Sequence, residues 1–231
     1  MRAYVLCGGF GTRLSTVLQG SQKAVVDIHG RPFLALVLAE LKQAGITQAV
    51  LCAHYRADQL AELLPSLMAE TGLDLQIVVE KQPMGTGGAI LHALHQMPPE
   101  GRFLVLNADT WLDRQAYRLA MAAIGDVLVG VQVEDRSRYG SLDCSEDLRL
   151  LALNEKGLSG PGKVNAGVYA FAADSLQACT VQACSMEQDI LPMLIHRQSL
   201  KVCAYTGPFI DIGTPDALSA FKSGFKEAVN S

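Results

Sequence analysis

Five short β-rich runs, AYVLC at 3–7, AVLCA at 49–53, LQIVV at 75–79, FLVLN at 103–107 and DVLVGVQV at 126–133, are separated by helix-sized intervals. This rhythm constrains the chain more than any other feature. Parallel strands need long crossover connections, which helices supply, so the alternation predicts an α/β fold: a mostly parallel mixed sheet with helices on both faces. Within 56–70, Leu60, Leu63, Leu64, Leu67 and Met68 recur at helical spacing, with Pro65 as a kink. Pro32 opens another helix and Gly45 follows it, the favoured order of those two residues. From about Tyr139 the rhythm changes. SLDC, LRLLALNE and KVNAGVYAF read as antiparallel strands joined by the Glu146-Asp147 turn and the loop GLSGPGK, adding a small lobe. A helix over 187–197, the strand LKVCAY, then FIDIG and a helix from Pro215 complete the pattern. There is no repeat, low-complexity segment or linker, so residues 1–231 read as a single domain.

A 49% hydrophobic content fills a sizeable core, while a formal charge of -4 argues against nucleic-acid binding, which usually needs a basic stripe. Partners are therefore expected to be small molecules or protein, with a homodimer possible. The six cysteines form no C-x-x-C pair and mostly sit in apolar runs, as buried reduced thiols of a cytoplasmic protein do. The N-terminus carries no signal-peptide pattern, and no apolar stretch approaches the ~20 residues of a membrane helix.

Ligands of open α/β sheets bind beyond the carboxyl ends of the strands, and four groups of residues lie just after strands. Gly8-Gly9-Phe10-Gly11-Thr12-Arg13-Leu14 follows the first. It is neither a dinucleotide fingerprint nor a Walker loop, but successive bare amides can cradle phosphate, with Arg13 adding a fork and Lys23 a point charge. Asp109, after FLVLN-Ala, can hold a hard cation such as magnesium. Asp211 stands between Ile210 and Ile212, where a carboxylate must be paired or coordinated, so it is a second candidate ligand; bonding to the amides of the following turn is the alternative. Glu80-Lys81-Gln82-Pro83-Met84-Gly85-Thr86-Gly87-Gly88 is a second glycine-rich loop; alone it could be a helix entry, but two such loops suggest a ligand of two parts. His92 and His95 read as a surface pair rather than a zinc site. Trp111 packs either against a ligand or into the core.

LCGGFGTRL, the downstream Lys23, GTGGA, LNADT, NEK, NAGVY and FIDIGTP occur in the order found in sugar-1-phosphate nucleotidylyltransferases, and they span nearly the whole chain. Within that family the sequence most resembles the short D-glycero-D-manno-heptose 1-phosphate guanylyltransferases, with mannose-1-phosphate guanylyltransferases next. The resemblance implies a Rossmann-like nucleotidyltransferase fold with a small antiparallel sugar-binding lobe, residues 1–135 holding nucleotide and 136–231 the sugar phosphate. It implies that Gly8, Gly9, Gly11, Thr12 and Arg13 hold a nucleoside triphosphate, that Lys23 contacts the phosphate under attack, and that Asp109 and Asp211 hold Mg2+. Gly85, Thr86 and Gly87 would frame the base, with Glu80 as a reader of guanine; Glu155, Lys156 and Asn165 would line the sugar-phosphate pocket. GTP and a sugar 1-phosphate would then give GDP-heptose and pyrophosphate, for cell-surface polysaccharide synthesis. The family usually reads Pro-Lys-Pro where this chain has Gln22-Lys23-Ala24, and often a proline where it has Gly157. Many relatives carry a C-terminal hexapeptide-repeat domain; this sequence runs from Pro215 only to Ser231, so acyl transfer or assembly through such a domain is not expected. A metal-dependent glycosyltransferase and a non-catalytic sensor of the same fold are the rival readings. The first usually shows D-x-D, whereas Asp109 is followed by Thr110 and Trp111.

Overall fold

The computed structural model describes residues 1–11, 14, 18 and 20–229. In chain order its elements are β1 (Arg2–Leu6), a short hairpin of β2 (Asp27–Ile28) and β3 (Arg31–Pro32), α1 (Phe33–Ala44), β4 (Gln48–Ala53), α2 (Ala57–Thr71) and β5 (Asp74–Val79). Then come α3 (Gly85–Gln96), β6 (Phe103–Asn107), β7 (Thr110–Leu112), α4 (Arg114–Ala122), β8 (Asp126–Val133), β9 (Ser141–Cys144), β10 (Leu150–Asn154) and β11 (Gly162–Phe171). The chain closes with α5 (Leu191–His196), β12 (Leu200–Tyr205), β13 (Phe209–Asp211) and α6 (Pro215–Val229).

Nine strands form one sheet. Its first half runs β6-β1-β4-β5, all parallel. The other half turns on β11, which lies antiparallel to β6, β8 and β9; β12 is parallel to β8, and β10 antiparallel to β9. The first four runs of the alternation thus become the parallel half, while the fifth, β8, lies in the other half between antiparallel β11 and parallel β12. Both halves share one continuous sheet.

The central strands β1, β4 and β6 are largely apolar because both of their faces are covered. In β1, Ala3 and Val5 join one core while Tyr4 joins the other; in β6, Leu104 and Leu106 face the first, Phe103 and Val105 the second. A strand buried on both sides reads as a continuous hydrophobic run, which is how the sequence shows it. Pro65 lies inside α2, and the helix expected over 187–197 begins as a wide π-type turn at Met186–Ile190 that runs into α5.

Strand register sets the location of the site. Leu6 is paired with both Cys52 and Asn107, and Ala53 with Val79. The four parallel strands therefore end level. The residues immediately beyond them, Gly8, His54, Glu80 and Asp109, emerge along one edge.

Candidate active site

Two cavities open along that edge. One, of about 310 Å³, lies between the Gly8-Gly9-Phe10 turn, Lys23, Glu80 and the segment 83–86. The other, of about 510 Å³, is bounded by Asp211, Tyr139, Glu155, Lys156, Asn165 and the segment around 185–188. Asn107 and Asp109 line both, so the end of β6 is the seam between them.

At the seam, Lys23 Nζ donates to Asp109 Oδ2 at 2.5 Å, with Lys23 15% and Asp109 35% exposed. Such an ion pair survives in a crevice because each partner keeps hydrogen bonds or water while the low local dielectric strengthens the attraction. Lys23 belongs to a 3-10 turn, Lys23–Val25. The turn is held by Gln22, which stands where the pattern of the resembled family has a proline. Gln22 is fully buried, its amide Nε2 donates to the Cys7 carbonyl, and its backbone N–H donates to Gln59 Oε1 at 2.9 Å. Its Oε1 finds no partner among the described residues. Anchoring by hydrogen bonds thus stands in for the rigidity of a proline ring. Gly11 has φ +61, and a side chain there would meet Leu18 at 2.6 Å. Thr12 and Arg13 lie outside the described residues.

Asp211 reaches the seam through tertiary pairing. β13 runs antiparallel to β7 with Asp211 opposite Thr110, and the Ile212 N–H donates to the Asp109 carbonyl at 3.1 Å. Asp211 Oδ1 accepts from the Gly213 amide at 2.6 Å, the turn bond that was the alternative to coordination, while Oδ2 makes no hydrogen bond among the described residues. A side chain at Gly213 would come within 2.7 Å of that Oδ1, which explains the glycine two residues on. Two carboxylates on the larger cavity offer the oxygen ligands a hard divalent ion takes, Asp109 through the oxygen that Lys23 leaves free. Among the described residues no group of three or more His, Cys, Asp or Glu could hold a metal. Two carboxylates leave most positions to water and phosphate oxygens, the usual arrangement for magnesium on a nucleotide.

Glu80 is only 6% exposed on the wall of the smaller cavity. Its Oε2 accepts from the Met84 amide at 2.9 Å and its carbonyl from His54 Nδ1 at 3.1 Å. Burial pushes the carboxyl above the ordinary glutamate range, against the opposing pull of the Met84 amide, His54 and His92. The unfolded chain then loses its proton first as pH rises, so wild type loses stability upward from the ordinary carboxylate pKa through the raised one. Glu80→Gln keeps an acceptor for Met84 without the charge. Its melting temperature relative to wild type should rise as pH climbs from the ordinary carboxylate range through the raised pKa of Glu80, which a melting series in pH would check; a constant difference would contradict it.

The second glycine loop is built differently from expectation. Gly85 and Thr86 border the smaller cavity, but Gly87 does not. A side chain at Gly87 or Gly88 would strike residues 182–185, at 2.8 Å from Cys184 Sγ and 2.5 Å from the Gln182 carbonyl, and both amides donate to the Cys184 carbonyl. These glycines admit a neighbouring backbone. Thr86 Oγ1 accepts from the Met186 amide at 2.8 Å and donates to Glu187 Oε2 at 3.1 Å.

Glu155 and Lys156 stand exposed on the rim of the larger cavity, where Gln188 Nε2 donates to Glu155 Oε1 at 3.3 Å. Asn165 lines the wall, but both ends of its amide are engaged, Oδ1 with the Gly167 N–H and Nδ2 with the Tyr169 hydroxyl. It holds the bulge of β11 at Gly167, whose φ of +70 lets Asn107 pack against it. Trp111 packs on Phe221 of α6 and borders neither cavity. All six cysteines are free thiols, each with its pKa pushed up by burial. Sequence reasoning missed the wall at 185–188; its one signal is the cap, with Ser185 Oγ accepting from the Gln188 amide before an apolar run. Asn107, within the LNADT motif, is another residue of the site to which sequence reasoning assigned no role.

Over 216 residues the chain is 30% identical to the D-glycero-alpha-D-manno-heptose 1-phosphate guanylyltransferase of Campylobacter jejuni, covering 94% of this chain and 96% of that protein. It is 30% identical over 220 residues to the mannose-1-phosphate guanylyltransferase catalytic subunit beta of Drosophila melanogaster, covering 93% of this chain but 60% of that protein. The crystal structure of HddC from Yersinia pseudotuberculosis superposes with a TM-score of 0.83 at 31% identity, over 97% of this chain and 99% of the other. That protein is also known in complex with GMP-PN, at a TM-score of 0.83, 30% identity and the same coverage. Residues 2–227 match the family described as nucleotidyl transferase, and together with the two-chambered crevice at the strand ends this makes the chain a member of the nucleotidyl transferase family.

Proposed function

We propose that the protein transfers a guanylyl group from GTP to D-glycero-D-manno-heptose 1-phosphate, giving GDP-heptose and pyrophosphate for cell-surface polysaccharide synthesis in the cytoplasm. The observation that carries this reading is the shared wall: two chambers of different size meet at Asp109, as a reaction joining two phosphorylated substrates requires. The smaller would take the nucleotide and the larger the sugar phosphate. The heptose guanylyltransferase similar over almost its full length supports the sugar, and the GMP-PN complex of HddC supports the base.

In the reaction an oxygen of the sugar 1-phosphate attacks the α-phosphorus of GTP; the new P–O bond forms as the bond to the bridging oxygen of the β-phosphate breaks, and pyrophosphate leaves. The second pKa of a phosphate monoester is ~6, so the attacking group is already largely ionised and needs no general base. What remains is alignment and the offsetting of negative charge. Lys23 is fixed at the seam beside Asp109, with Lys156 at the rim of the larger chamber; Arg13 and Thr12 would complete the triphosphate cradle with Gly8, Gly9 and Gly11. Asp109 and Asp211 would hold magnesium, which when bound offsets phosphate charge and stabilises the leaving pyrophosphate. Residues 1–135 would supply the nucleotide chamber and 136–231 most of the sugar chamber, with Asn107, Asp109 and Thr110 contributing to the latter from the first half.

The test is a matrix of GTP, UTP, CTP and dTTP against heptose 1-phosphate, mannose 1-phosphate and glucose 1-phosphate, read as pyrophosphate. Release should require a sugar 1-phosphate and be fastest with GTP and the heptose. Release from nucleotide alone, or none with any pair, would contradict the assignment, and faster turnover of the mannose compound would move it to the substrate named for the Drosophila relative. Glu80→Gln should lower the preference for GTP over UTP, because a carboxylate accepts from the N1–H and N2–H2 edge of guanine together whereas a carboxamide presents one acceptor.

A further inference from the structure

Phe10 is 53% exposed, whereas Phe33, Phe103, Phe171, Phe209 and Phe221 are buried or packed against the core. It sits in the glycine turn after β1 and borders the smaller cavity, opposite Pro83, Met84 and Gly85. Its ring is already backed by two others: Tyr55 at 5.4 Å between centroids, tilted by 47°, and His54 at 6.0 Å, edge on. Among the described residues nothing lies within 4 Å of where a side chain at Gly9 would begin, so none of them closes the approach to the ring on that side. Glu80, the carboxylate able to read a base edge, lies on the wall of the same cavity beside Gly8.

An aromatic ring held by neighbours and left open toward a narrow chamber has a favourable occupant in another flat ring, because burial of its exposed apolar face and offset stacking act together. Resting on the assignment of this chamber to the nucleotide, we infer that Phe10 is the stacking wall for the base, a purine, whose edge meets Glu80. A purine covers more of the ring than a pyrimidine does. Phe10 therefore adds to the preference for GTP over UTP and CTP independently of the hydrogen bonds to the base edge.

Base–aromatic stacking measured by alanine substitution corresponds to roughly 5- to 150-fold in affinity. Phe10→Ala should weaken GTP binding within that range, measured calorimetrically without sugar phosphate so that no turnover occurs. It should weaken UTP binding less and leave magnesium pyrophosphate binding unchanged; Phe10→Tyr should restore GTP affinity. A second readout uses Phe10→Trp in a Trp111→Phe background, so that the only indole stands at the cavity. GTP should quench its emission saturably, and pyrophosphate should not. Equal losses for GTP, UTP and pyrophosphate in Phe10→Ala, or an indole indifferent to GTP, would overturn the stacking role. If wild type binds GTP and releases pyrophosphate while Phe10→Ala binds GTP as tightly, only the stacking inference falls; if wild type does not bind GTP at all, both readings fall.

Discussion

Asp109→Ala is expected to lower kcat by about 10²-fold or more, with a much smaller change in the KM for either substrate. Asp109 stands where the two cavities meet and holds Lys23. On the proposed reading, its removal takes a ligand from magnesium and leaves Lys23 without its tether at the phosphorus under attack. Asp211→Ala should show the same pattern, since Asp211 lies across β7 from Thr110 and lines the larger cavity with Asp109. Neither effect should come from unfolding. Asp109 is 35% exposed, so its melting temperature should stay near wild type; Asp211→Ala also loses the bond to the Gly213 amide and should melt slightly lower. The check is steady-state kinetics over a magnesium series. Turnover close to wild type in either variant at saturating magnesium would retire the two-carboxylate site, and a loss confined to KM would turn the pair into a binding device.

Gly85→Ala is expected to be the most damaging single-methyl change in the molecule. Gly85 has φ +71, and a Cβ there would lie 2.5 Å from the Cys184 carbonyl oxygen. A non-glycine residue in the left-handed region costs ~1–2 kcal/mol, and an extra methyl forced into packed surroundings a further ~1–3 kcal/mol. The colliding atom is backbone, so it cannot swing aside like a side chain. It belongs to the segment that accepts the Gly87 and Gly88 amides and supplies Ser185, Glu187 and Gln188 to the larger cavity. Destabilisation of roughly 2–5 kcal/mol should therefore come with weaker binding of both substrates. Denaturant unfolding and separate titrations of nucleotide and sugar phosphate would measure it. A variant as stable as wild type would mean that residues 182–185 yield readily. Loss of nucleotide affinity alone would mean that the two chambers are not joined through this contact.

Much of the architecture is written in one-dimensional patterns. The buried parallel strands appear as uninterrupted apolar runs because covering both faces removes any reason for alternation, and the helices appear through their spacing of leucines. The strand-end positions of Gly8, Glu80 and Asp109 were legible for the same reason: where an apolar run stops, the strand stops. Less visible were features made by segments distant in sequence. Gly87 and Gly88 read as part of a ligand loop, yet what approaches them is the backbone of 182–185, nearly a hundred residues away. Trp111 comes soon after Asp109, but alternation within β7 turns it toward Phe221 rather than the cavity. The wall at 185–188 left only a capping signal, because a polar cavity lining has the composition of any surface turn.

The sequence by itself thus determined the layers, the strand ends and the candidate chemistry, since these arise from local periodicity and from what each side chain can do. That Asp211 stands beside Asp109, that Gln22 fixes the turn bearing Lys23, and that two chambers share one wall were decided only by the tertiary structure. Each depends on register and strand order, which are set by how the whole apolar surface packs and leave no mark on any single stretch of residues.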